Sequence, residues 1–227
     1  MNLRIDDLQN GYFIIQDPKK FCFGVDAVLL SNFVIDNIKE NNSILDLGCG
    51  NGIIPILLCA KKSIKVTGLE IQKENIELAN KSVAYNNLQD KIKLVCGDIK
   101  NVGEIFKGKK FDVVVTNPPY IHNGSGLLNV NKSVAISRHE IYCNLRDVIS
   151  AAAYVLNHGA SFYMIHRPQR LTEIITILKE NNLQPKYIKF VHSHINSEAK
   201  MVMVCAKRGA KEMCKVLPPT IIYSFDK

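Results

Sequence analysis

The sequence predicts an α/β fold with a mostly parallel sheet, and three observations support that prediction. Short apolar runs alternate with stretches of helical period in the first half of the chain, as in successive strand–helix–strand units. A glycine-rich turn, Gly48 to Gly52, joins one such run to a helix. Polar residues occur at the ends of four successive runs: Asp46, Glu70, Asp98 and Asn117. Because ligands bind at the carboxyl edge of such sheets, these side chains predict a binding site.

The composition is that of a basic globular protein. The chain has 227 residues, of which 47% are hydrophobic, and carries a net charge of +8 from scattered basic residues. This charge favours a polyanion partner such as RNA or DNA. Seven cysteines without a Cys-x-x-Cys pair indicate a reducing cytoplasm rather than a disulfide framework or zinc ribbon. The sequence shows no signal peptide or transmembrane helix.

We expect a single domain, with an amino-terminal segment (1–42), a core (43–206) and a carboxyl-terminal tail (207–227). In the first segment, Phe13–Gln16 is a predicted strand. An amphipathic helix is predicted from about Asp26 to Lys39, with Asp26 as its N-cap.

The core is predicted to contain seven strands and four helices. The strands are Ser43–Leu47, Lys65–Leu69, Ile92–Cys96, Phe111–Val115, Ala160–Ile165, Lys186–Val191 and Met201–Ala206. The helices are Ile53–Lys62, Gln72–Asn87, Asn144–Asn157, and one from residues 166–170 to about Asn181. Residues 121–140 are predicted to be a long loop, which is typical of a lid, a recognition segment or disorder. The tail has no clear period.

The glycine loop and the polar strand ends predict a nucleoside site. The spacing Gly-x-Gly-x-Gly followed by Ile53 does not match the dinucleotide fingerprint, which argues against a bound pyrophosphate. Asp46 would repel phosphate and suits a cationic amine. A carboxylate such as Glu70 can accept two hydrogen bonds from a ribose diol. Asp98 could accept one hydrogen bond from an adenine amino group, with Ile99 beside the adenine ring. Each acid alone is also compatible with a solvated strand end, a helix cap or a turn.

The tetrapeptide Asn117-Pro118-Pro119-Tyr120 follows a buried strand and predicts a clamp for a planar amine. Two prolines make the loop stiff, so that the Asn117 side chain and the Pro118 carbonyl are fixed acceptors. Tyr120 offers a flat face on which a ring can stack. The same residues are also compatible with a rigid turn of no catalytic role. His192 and His194 alternate on one face, but no third ligand has a telling spacing, so no metal site is expected.

Together, the stretches Asp46–Gly52 and Asn117–Tyr120 resemble class I S-adenosylmethionine-dependent methyltransferases that modify amino groups. The chain is similar in particular to the bacterial tRNA(Val) adenine-N6 methyltransferase family, which acts on the adenine at position 37. Five further stretches carry this resemblance over nearly the whole chain: Asp6–Leu8 with Gln16, Phe23–Leu30, Ser137–Glu140, His166–Leu171, and Val191–His192 with Glu198–Ala199.

The resemblance implies a Rossmann-like fold with a seven-stranded, mostly parallel sheet, one antiparallel strand and helices on both faces. It implies S-adenosylmethionine as cofactor and a tRNA anticodon arm as partner, and it leaves monomer and homodimer open. The implied catalytic residues are Asn117, Pro118, Pro119 and Tyr120. The implied cofactor-binding residues are Phe23, Gly24, Asp26, Asp46, Gly48, Cys49, Gly50, Asn51, Gly52, Glu70, Ile71, Asp98, Ile99 and Asn117. Candidate RNA contacts are Lys19, Lys20, Lys132, Arg138, His139, Arg167, Arg170, His192 and Lys200.

Other functions remain open at the level of the sequence. A release-factor glutamine methyltransferase shares Asn-Pro-Pro-Tyr but carries a helical amino-terminal domain, for which little room precedes Gly48. A sequence-specific DNA adenine methyltransferase would normally need a separate recognition domain, and none is evident in the 227 residues. A guanine-N2 rRNA methyltransferase is harder to distinguish. The remaining alternatives are a non-catalytic RNA-binding module, which the intact motifs disfavour, and a nicotinamide dehydrogenase, which the glycine spacing disfavours.

Overall fold

The computed structural model describes residues 3–9, 11–19, 22–120 and 143–223. Its strands are β1 (Arg4–Asp7), β2 (Phe13–Gln16), β3 (Ser43–Leu47), β4 (Lys65–Glu70), β5 (Ile92–Cys96), β6 (Phe111–Thr116), β7 (Leu156–His166), β8 (Leu183–His192), β9 (Ala199–Arg208) and β10 (Lys215–Ile221). Its α-helices are α1 (Val25–Ile35), α2 (Ile53–Lys61), α3 (Lys73–Tyr85), α4 (Val102–Phe106), α5 (Leu145–Val155) and α6 (Leu171–Glu180). Short 3-10 turns, Ile99–Asn101 and Pro168–Arg170, precede α4 and α6.

The central sheet has the strand order β10-β8-β9-β7-β6-β3-β4-β5. Strand β9 runs antiparallel to both of its neighbours, and every other pair in this sheet is parallel. The prediction of a mostly parallel sheet with one antiparallel strand is therefore confirmed. The predicted count of seven strands is wrong, because the described residues form eight.

The eighth strand, β10, comes from the stretch that the sequence predicts to be an irregular tail. It pairs with β8 at the edge of the sheet. The two prolines within it, Pro218 and Pro219, have no N–H to donate, which is tolerated at an edge strand. The register shifts between Leu217 and Thr220, where these prolines lie. They are the reason that the sequence does not look like a strand.

The helices cover both faces of the sheet, as predicted, and each face has its own hydrophobic core. Helices α1, α2 and α3 pack on one face against strand residues such as Ile44 and Val113. Helices α4, α5 and α6 pack on the other face against Leu45 and Val114. Neighbouring residues of a strand point to opposite faces, so the continuous apolar runs are those of strands buried on both sides.

The amino-terminal residues form a hairpin of β1 and β2 that lies on α3. The main-chain N–H groups of Phe13 and Ile15 donate to Asn86 Oδ1 and Ser82 Oγ, at 2.8 and 2.9 Å. Helix α1 then begins at Val25 and ends at Ile35, four residues before the predicted end at Lys39. The prediction that Asp26 is the N-cap is also wrong, because Gly24 holds that position and makes no side-chain cap.

Candidate active site

The carboxyl ends of β6, β3, β4 and β5 lie side by side, since these strands are adjacent and parallel. Three of the polar strand-end residues, Glu70, Asp98 and Asn117, line one cavity at this edge. Other residues that the sequence predicts to bind the cofactor line it too: Phe23, Gly24, Asp26, Gly48, Cys49, Gly50, Asn51, Ile71 and Ile99. Two of the predicted catalytic residues, Pro118 and Pro119, also line this cavity. The fold thus gathers distant parts of the chain around a single cavity.

The glycine loop is held against β4 by its own main chain. The N–H groups of Gly48 and Cys49 both donate to the carbonyl of Leu69, at 2.8 and 3.0 Å. Gly52 has a φ of +85° at the start of α2, and a Cβ there would lie 3.1 Å from the Cβ of Ala79. Gly52 is not among the residues that line the cavity. Its structural effect is to allow α2 to approach α3 closely.

Glu70 at the end of β4 connects the glycine loop to the turn before α3. Its Oε2 accepts the N–H of Gly50 at 3.0 Å, and its Oε1 accepts the N–H of Gln72 at 2.8 Å. Burial raises the pKa of Glu70, and the surrounding main-chain N–H groups oppose that rise. A carboxylate has about four acceptor sites. Glu70 therefore keeps sites for two further donors at the cavity.

Asp46 lies within β3, paired in the sheet with Gly68 and Val115. It is fully buried, and neither of its carboxylate oxygens has a hydrogen-bond partner among the described residues. Burial, followed by the nearby Glu70, raises the pKa of Asp46 well above its ordinary value. The cavity is lined by the next residue, Leu47, and not by Asp46. Asp46 was expected at the cofactor surface and instead lies behind it.

Asp98 lies at the far end of the cavity, in front of the 3-10 turn that follows β5. Its Oδ1 accepts the N–H of Lys100 at 2.9 Å, and its Oδ2 lies 3.8 Å from the ammonium of Lys100. Ile99 beside it adds an apolar side chain to the cavity lining. An acceptor next to an apolar surface is the combination that an aminopurine ring requires.

Gln16 at the end of β2 positions the opposite wall. It is only 2% exposed, and its Oε1 accepts both the N–H of Phe23, at 3.0 Å, and the Nδ2–H of Asn51, at 3.1 Å. It therefore ties the turn before α1 to the glycine loop. The sequence analysis included Gln16 in the family resemblance but assigned it no role in the site.

Tyr120 contacts the residues on either side of the clamp. Its hydroxyl donates to Asp26 Oδ2 at 2.8 Å and also contacts Asn117 Oδ1. Burial, with the negative charge of Asp26, raises the pKa of Tyr120 well above its ordinary value, so the hydroxyl keeps its proton. The Arg167 guanidinium lies over the Tyr120 ring, 5.3 Å from its centroid. One face of the ring that was expected to stack on a base is thus covered by a planar cation.

His166 supports Tyr120 from inside the protein. Its ring meets the Tyr120 ring edge-on, with centroids 5.2 Å apart. The side chain is fully buried, its Nδ1 accepts the N–H of Arg167, and its Nε2 has no partner among the described residues. Burial, and then the charge of Arg170, lowers the pKa of His166 to about 4. The imidazole is therefore neutral at neutral pH.

A second cavity adjoins the first across the Asn-Pro-Pro-Tyr loop. Both cavities share four lining residues: Gly24, Asp26, Asn117 and Pro118. Tyr120, Arg167, Gln169, Glu198 and Lys200 are among the residues that line only the second. The clamp residues therefore lie at the boundary between the two cavities, where a group from each side can meet.

The basic residues that the sequence nominated for RNA contact fall into different positions. Arg167 and Lys200 line the second cavity, and Lys19 is exposed. Arg170 does not have the exposed position expected for an RNA contact. It is only 8% exposed, and its guanidinium donates two hydrogen bonds to the Glu173 carboxylate, both 2.8 Å long. It is thus not presented to a phosphate.

Of the five remaining candidates for RNA contact, the structure describes only His192. His192 is half-buried, and its Nδ1 bonds to the carbonyl of Ser197 at 2.7 Å. The other four, Lys20, Lys132, Arg138 and His139, lie outside the described residues, as does the predicted loop 121–140.

Several lining residues were missed by sequence reasoning. Gln72 and Asn75 lie just after Glu70, before and within the first turn of α3. Cys143 precedes α5, and Val148 lies within it. The first two carry a usable signal, because polar residues directly after an acidic strand end face the same edge. Cys143 and Val148 carry none, since only the tertiary fold brings them there.

No helix in the described part of the chain combines the length and apolar character needed to cross a membrane. Within the same residues, no three His, Cys, Asp or Glu side chains are grouped so as to hold a metal ion.

Comparisons with known proteins agree with this geometry. A family model described as "Methyltransferase small domain" matches residues 24–181. A curated tRNA1(Val) (adenine(37)-N6)-methyltransferase of Phocaeicola vulgatus is 25% identical over 206 residues, covering 88% of this chain and 85% of the relative. One of the same name from Trichodesmium erythraeum is 27% identical over 158 residues, covering 68% of this chain and 64% of the relative.

Solved structures share the fold. A predicted O-methyltransferase from Agrobacterium tumefaciens superposes with a TM-score of 0.71 at 23% identity, covering 89% of each chain. The T. thermophilus 16S rRNA guanine-N2 methyltransferase, solved in complex with AdoMet and guanosine, superposes with a TM-score of 0.65 at 18% identity. That match covers 91% of this chain and 50% of the other. At these identities the structural matches establish the architecture alone.

Proposed function

The chain belongs to the methyltransferase small domain family, and from that premise we propose that it methylates the exocyclic N6 of an adenine in a tRNA anticodon loop. Position 37 of valine tRNA is the proposed target, in line with the names of curated relatives that cover most of this chain. The observation that carries the proposal is the meeting of two cavities at Asn117 and Pro118. One cavity suits the methyl donor and the other the base.

The residues of the first cavity fit S-adenosylmethionine. Glu70 has acceptor sites left for the ribose diol, and Asp98 with Ile99 offers an acceptor and an apolar surface for the adenine. Asp46 is a buried carboxylate close behind the glycine loop and has no hydrogen-bond partner among the described residues. A cation nearby would offset the free-energy cost of burying it unpaired. Gly24 and Asp26 close the cavity on the side of the amino-terminal segment.

The residues of the clamp hold the target amine. Asn117 Oδ1 and the Pro118 carbonyl are acceptors on a loop that two prolines make stiff. An adenine amine is a weak nucleophile because its lone pair is delocalised into the ring. Gripping its N–H bonds favours a pyramidal nitrogen, which localises that pair and aims it at the first cavity.

The cofactor, when bound, supplies a methyl group on a sulfonium, which is already a good leaving group. The chain's own contribution is therefore mainly positional: it orients the amine and excludes water. No strong base has to act before attack, because the amine becomes acidic only as it is alkylated.

The second cavity and its surroundings suit a base that has left a single-stranded loop. An enzyme that modifies a base must take it out of its stack, and an anticodon loop makes this easier than a duplex does. Lys19, Arg167 and Lys200 are the described candidates for contact with phosphates around that base.

The proposal is tested with labelled S-adenosylmethionine and total tRNA from a strain that lacks the enzyme. We expect incorporation of label into valine tRNA and N6-methyladenine at position 37, mapped by mass spectrometry. With ribosomal RNA or a release factor supplied in place of tRNA, label in a guanine or in a glutamine would contradict the proposal and support one of the alternatives. Absence of any cofactor binding in calorimetry would favour a non-catalytic RNA-binding module.

A further inference from the structure

Gln16 lies behind the first cavity and holds two of the residues that form its wall. Its Oε1 accepts the main-chain N–H of Phe23 at 3.0 Å and the Nδ2–H of Asn51 at 3.1 Å. Both of these partners line the cavity, whereas Gln16 itself does not. The side chain is only 2% exposed, so the two bonds are shielded from solvent. Any effect of Gln16 on a ligand therefore passes through Phe23 and Asn51.

The rest of Gln16 is anchored to the amino-terminal hairpin. It is the last residue of β2, and two main-chain hydrogen bonds hold that strand on α3. Its Nε2 donates to Asp6 Oδ2 in the neighbouring strand β1. Asp6 is paired in turn with Arg4, whose Nε lies 2.7 Å from its Oδ1. The nitrogen end of the amide is thus held by the hairpin, and its oxygen end is directed at the cavity wall.

The direction of these hydrogen bonds requires an amide at position 16. Phe23 and Asn51 both donate and need an oxygen, whereas the Asp6 carboxylate needs an N–H. A glutamate would keep the first oxygen but would place its second oxygen against Asp6, where like charges repel. An apolar side chain would leave both donors without their acceptor, which costs free energy.

The two partners of Gln16 lie towards the clamp end of the first cavity. Phe23 precedes Gly24, which borders both cavities, and Asn51 belongs to the loop after β3, the neighbour of β6. Glu70 and Asp98 follow β4 and β5, which are farther from β6 in the sheet. With the ribose at Glu70 and the adenine at Asp98, the amino-acid portion of the cofactor extends towards Phe23 and Asn51.

We infer that Gln16 is a positioning residue for the amino-acid portion of the cofactor. By holding Phe23 and Asn51 it shapes the end of the first cavity that lies next to the clamp. The inference rests on the proposed function, since it takes the ligand to be S-adenosylmethionine. It gives the amino-terminal hairpin a part in the reaction, because the hairpin fixes the orientation of the Gln16 amide.

The test compares two ligands by calorimetry on the full chain. S-adenosylhomocysteine carries the amino-acid portion, and methylthioadenosine lacks it. Dissociation constants are measured for the wild type, Gln16→Ala, Gln16→Glu, Asp6→Asn, and Gln16→Glu combined with Asp6→Asn. Gln89→Ala is the matched control, because Gln89 is an exposed glutamine that does not line the cavity. Urea unfolding identifies the variants that are folded.

Gln16→Ala and Gln16→Glu are each expected to bind S-adenosylhomocysteine about tenfold more weakly than the wild type, and methylthioadenosine within about threefold. The amide introduced by Asp6→Asn can donate to the new carboxylate. Combining it with Gln16→Glu is therefore expected to restore S-adenosylhomocysteine affinity to within about threefold of the wild type. Asp6→Asn alone keeps an acceptor for Gln16, so it is expected to bind both ligands like the wild type, as is Gln89→Ala.

An equal loss for both ligands in folded Gln16→Ala would overturn the inference, because it would indicate a general loosening of the cavity. Unchanged affinity for S-adenosylhomocysteine would overturn it too. If Gln16→Ala does not fold, Gln16→Glu with and without Asp6→Asn decides the matter, and a failure to restore binding refutes the role of the amide. A wild type that binds neither ligand would refute the proposed function itself. That outcome is distinct from a wild type that binds S-adenosylhomocysteine no better than its Gln16 variants do.

Discussion

Glu70 allows the assignment of the first cavity to be tested by a single substitution. Its two oxygens each accept one main-chain N–H, which leaves acceptor sites for the two hydroxyls of a ribose. Hydrogen bonds to a charged group are worth about 1.5 kcal/mol each at the low end of their range. Loss of both in Glu70→Ala removes about 3 kcal/mol of binding free energy, or roughly a hundredfold in the dissociation constant.

The assay is calorimetric titration with S-adenosylhomocysteine, and Glu77→Ala is the matched control. Glu77 is exposed on α3, close in sequence, and does not line the cavity, so its loss removes the same charge without touching the site. Urea unfolding of both variants checks that the glycine loop still folds, because Gly50 loses its partner in Glu70→Ala. A folded Glu70→Ala protein with a dissociation constant within about threefold of the wild type would refute the reasoning.

Three further perturbations follow from the structure. Buried His166, with its pKa lowered to about 4, contributes stability that is present above pH 6.5 and lost as the pH falls towards 4. Between pH 6.5 and pH 4, the free energy of unfolding measured with urea is expected to fall by about 3 kcal/mol less in His166→Gln than in the wild type. An equal fall in both proteins would contradict this. Gly52→Ala is expected to lower the unfolding free energy more than Gly11→Ala does, because both have positive φ but only Gly52 faces another helix closely. For binding of the valine-tRNA anticodon stem-loop, Lys200→Ala is expected to reduce the slope of the logarithm of the binding constant against the logarithm of the salt concentration by about 0.7. Lys107→Ala is expected to leave that slope unchanged.

Local patterns were enough to predict the sheet and the elements around the cavity. The strands Ser43–Leu47 and Ile92–Cys96 match their predicted bounds, because each is an apolar run that ends at a turn. The strand order then brings Glu70, Asp98 and Asn117 to a common edge, as expected for parallel strands. These features depend on short stretches of sequence and on sheet geometry, both of which are visible in one chain.

Features that depend on tertiary contacts were not predictable. Asp26 reads as a helix cap in the sequence, and only the fold shows that it contacts Tyr120. From the sequence, Arg170 looks like an exposed cation, but in the structure it is buried and pairs with Glu173 one turn later. Strand β10 contains two prolines and is stabilised by its pairing with β8, which no local propensity reveals.

The central claim is that Asn117 holds the target amine where it can be methylated. Its most direct test is the single-turnover rate of methyl transfer to valine tRNA by Asn117→Ala, measured together with the dissociation constant for S-adenosylhomocysteine. The claim predicts a rate lower by about a hundredfold or more with nearly unchanged cofactor binding, because only the orientation of the amine is lost. A folded Asn117→Ala protein that transfers the methyl group at the wild-type rate would contradict it.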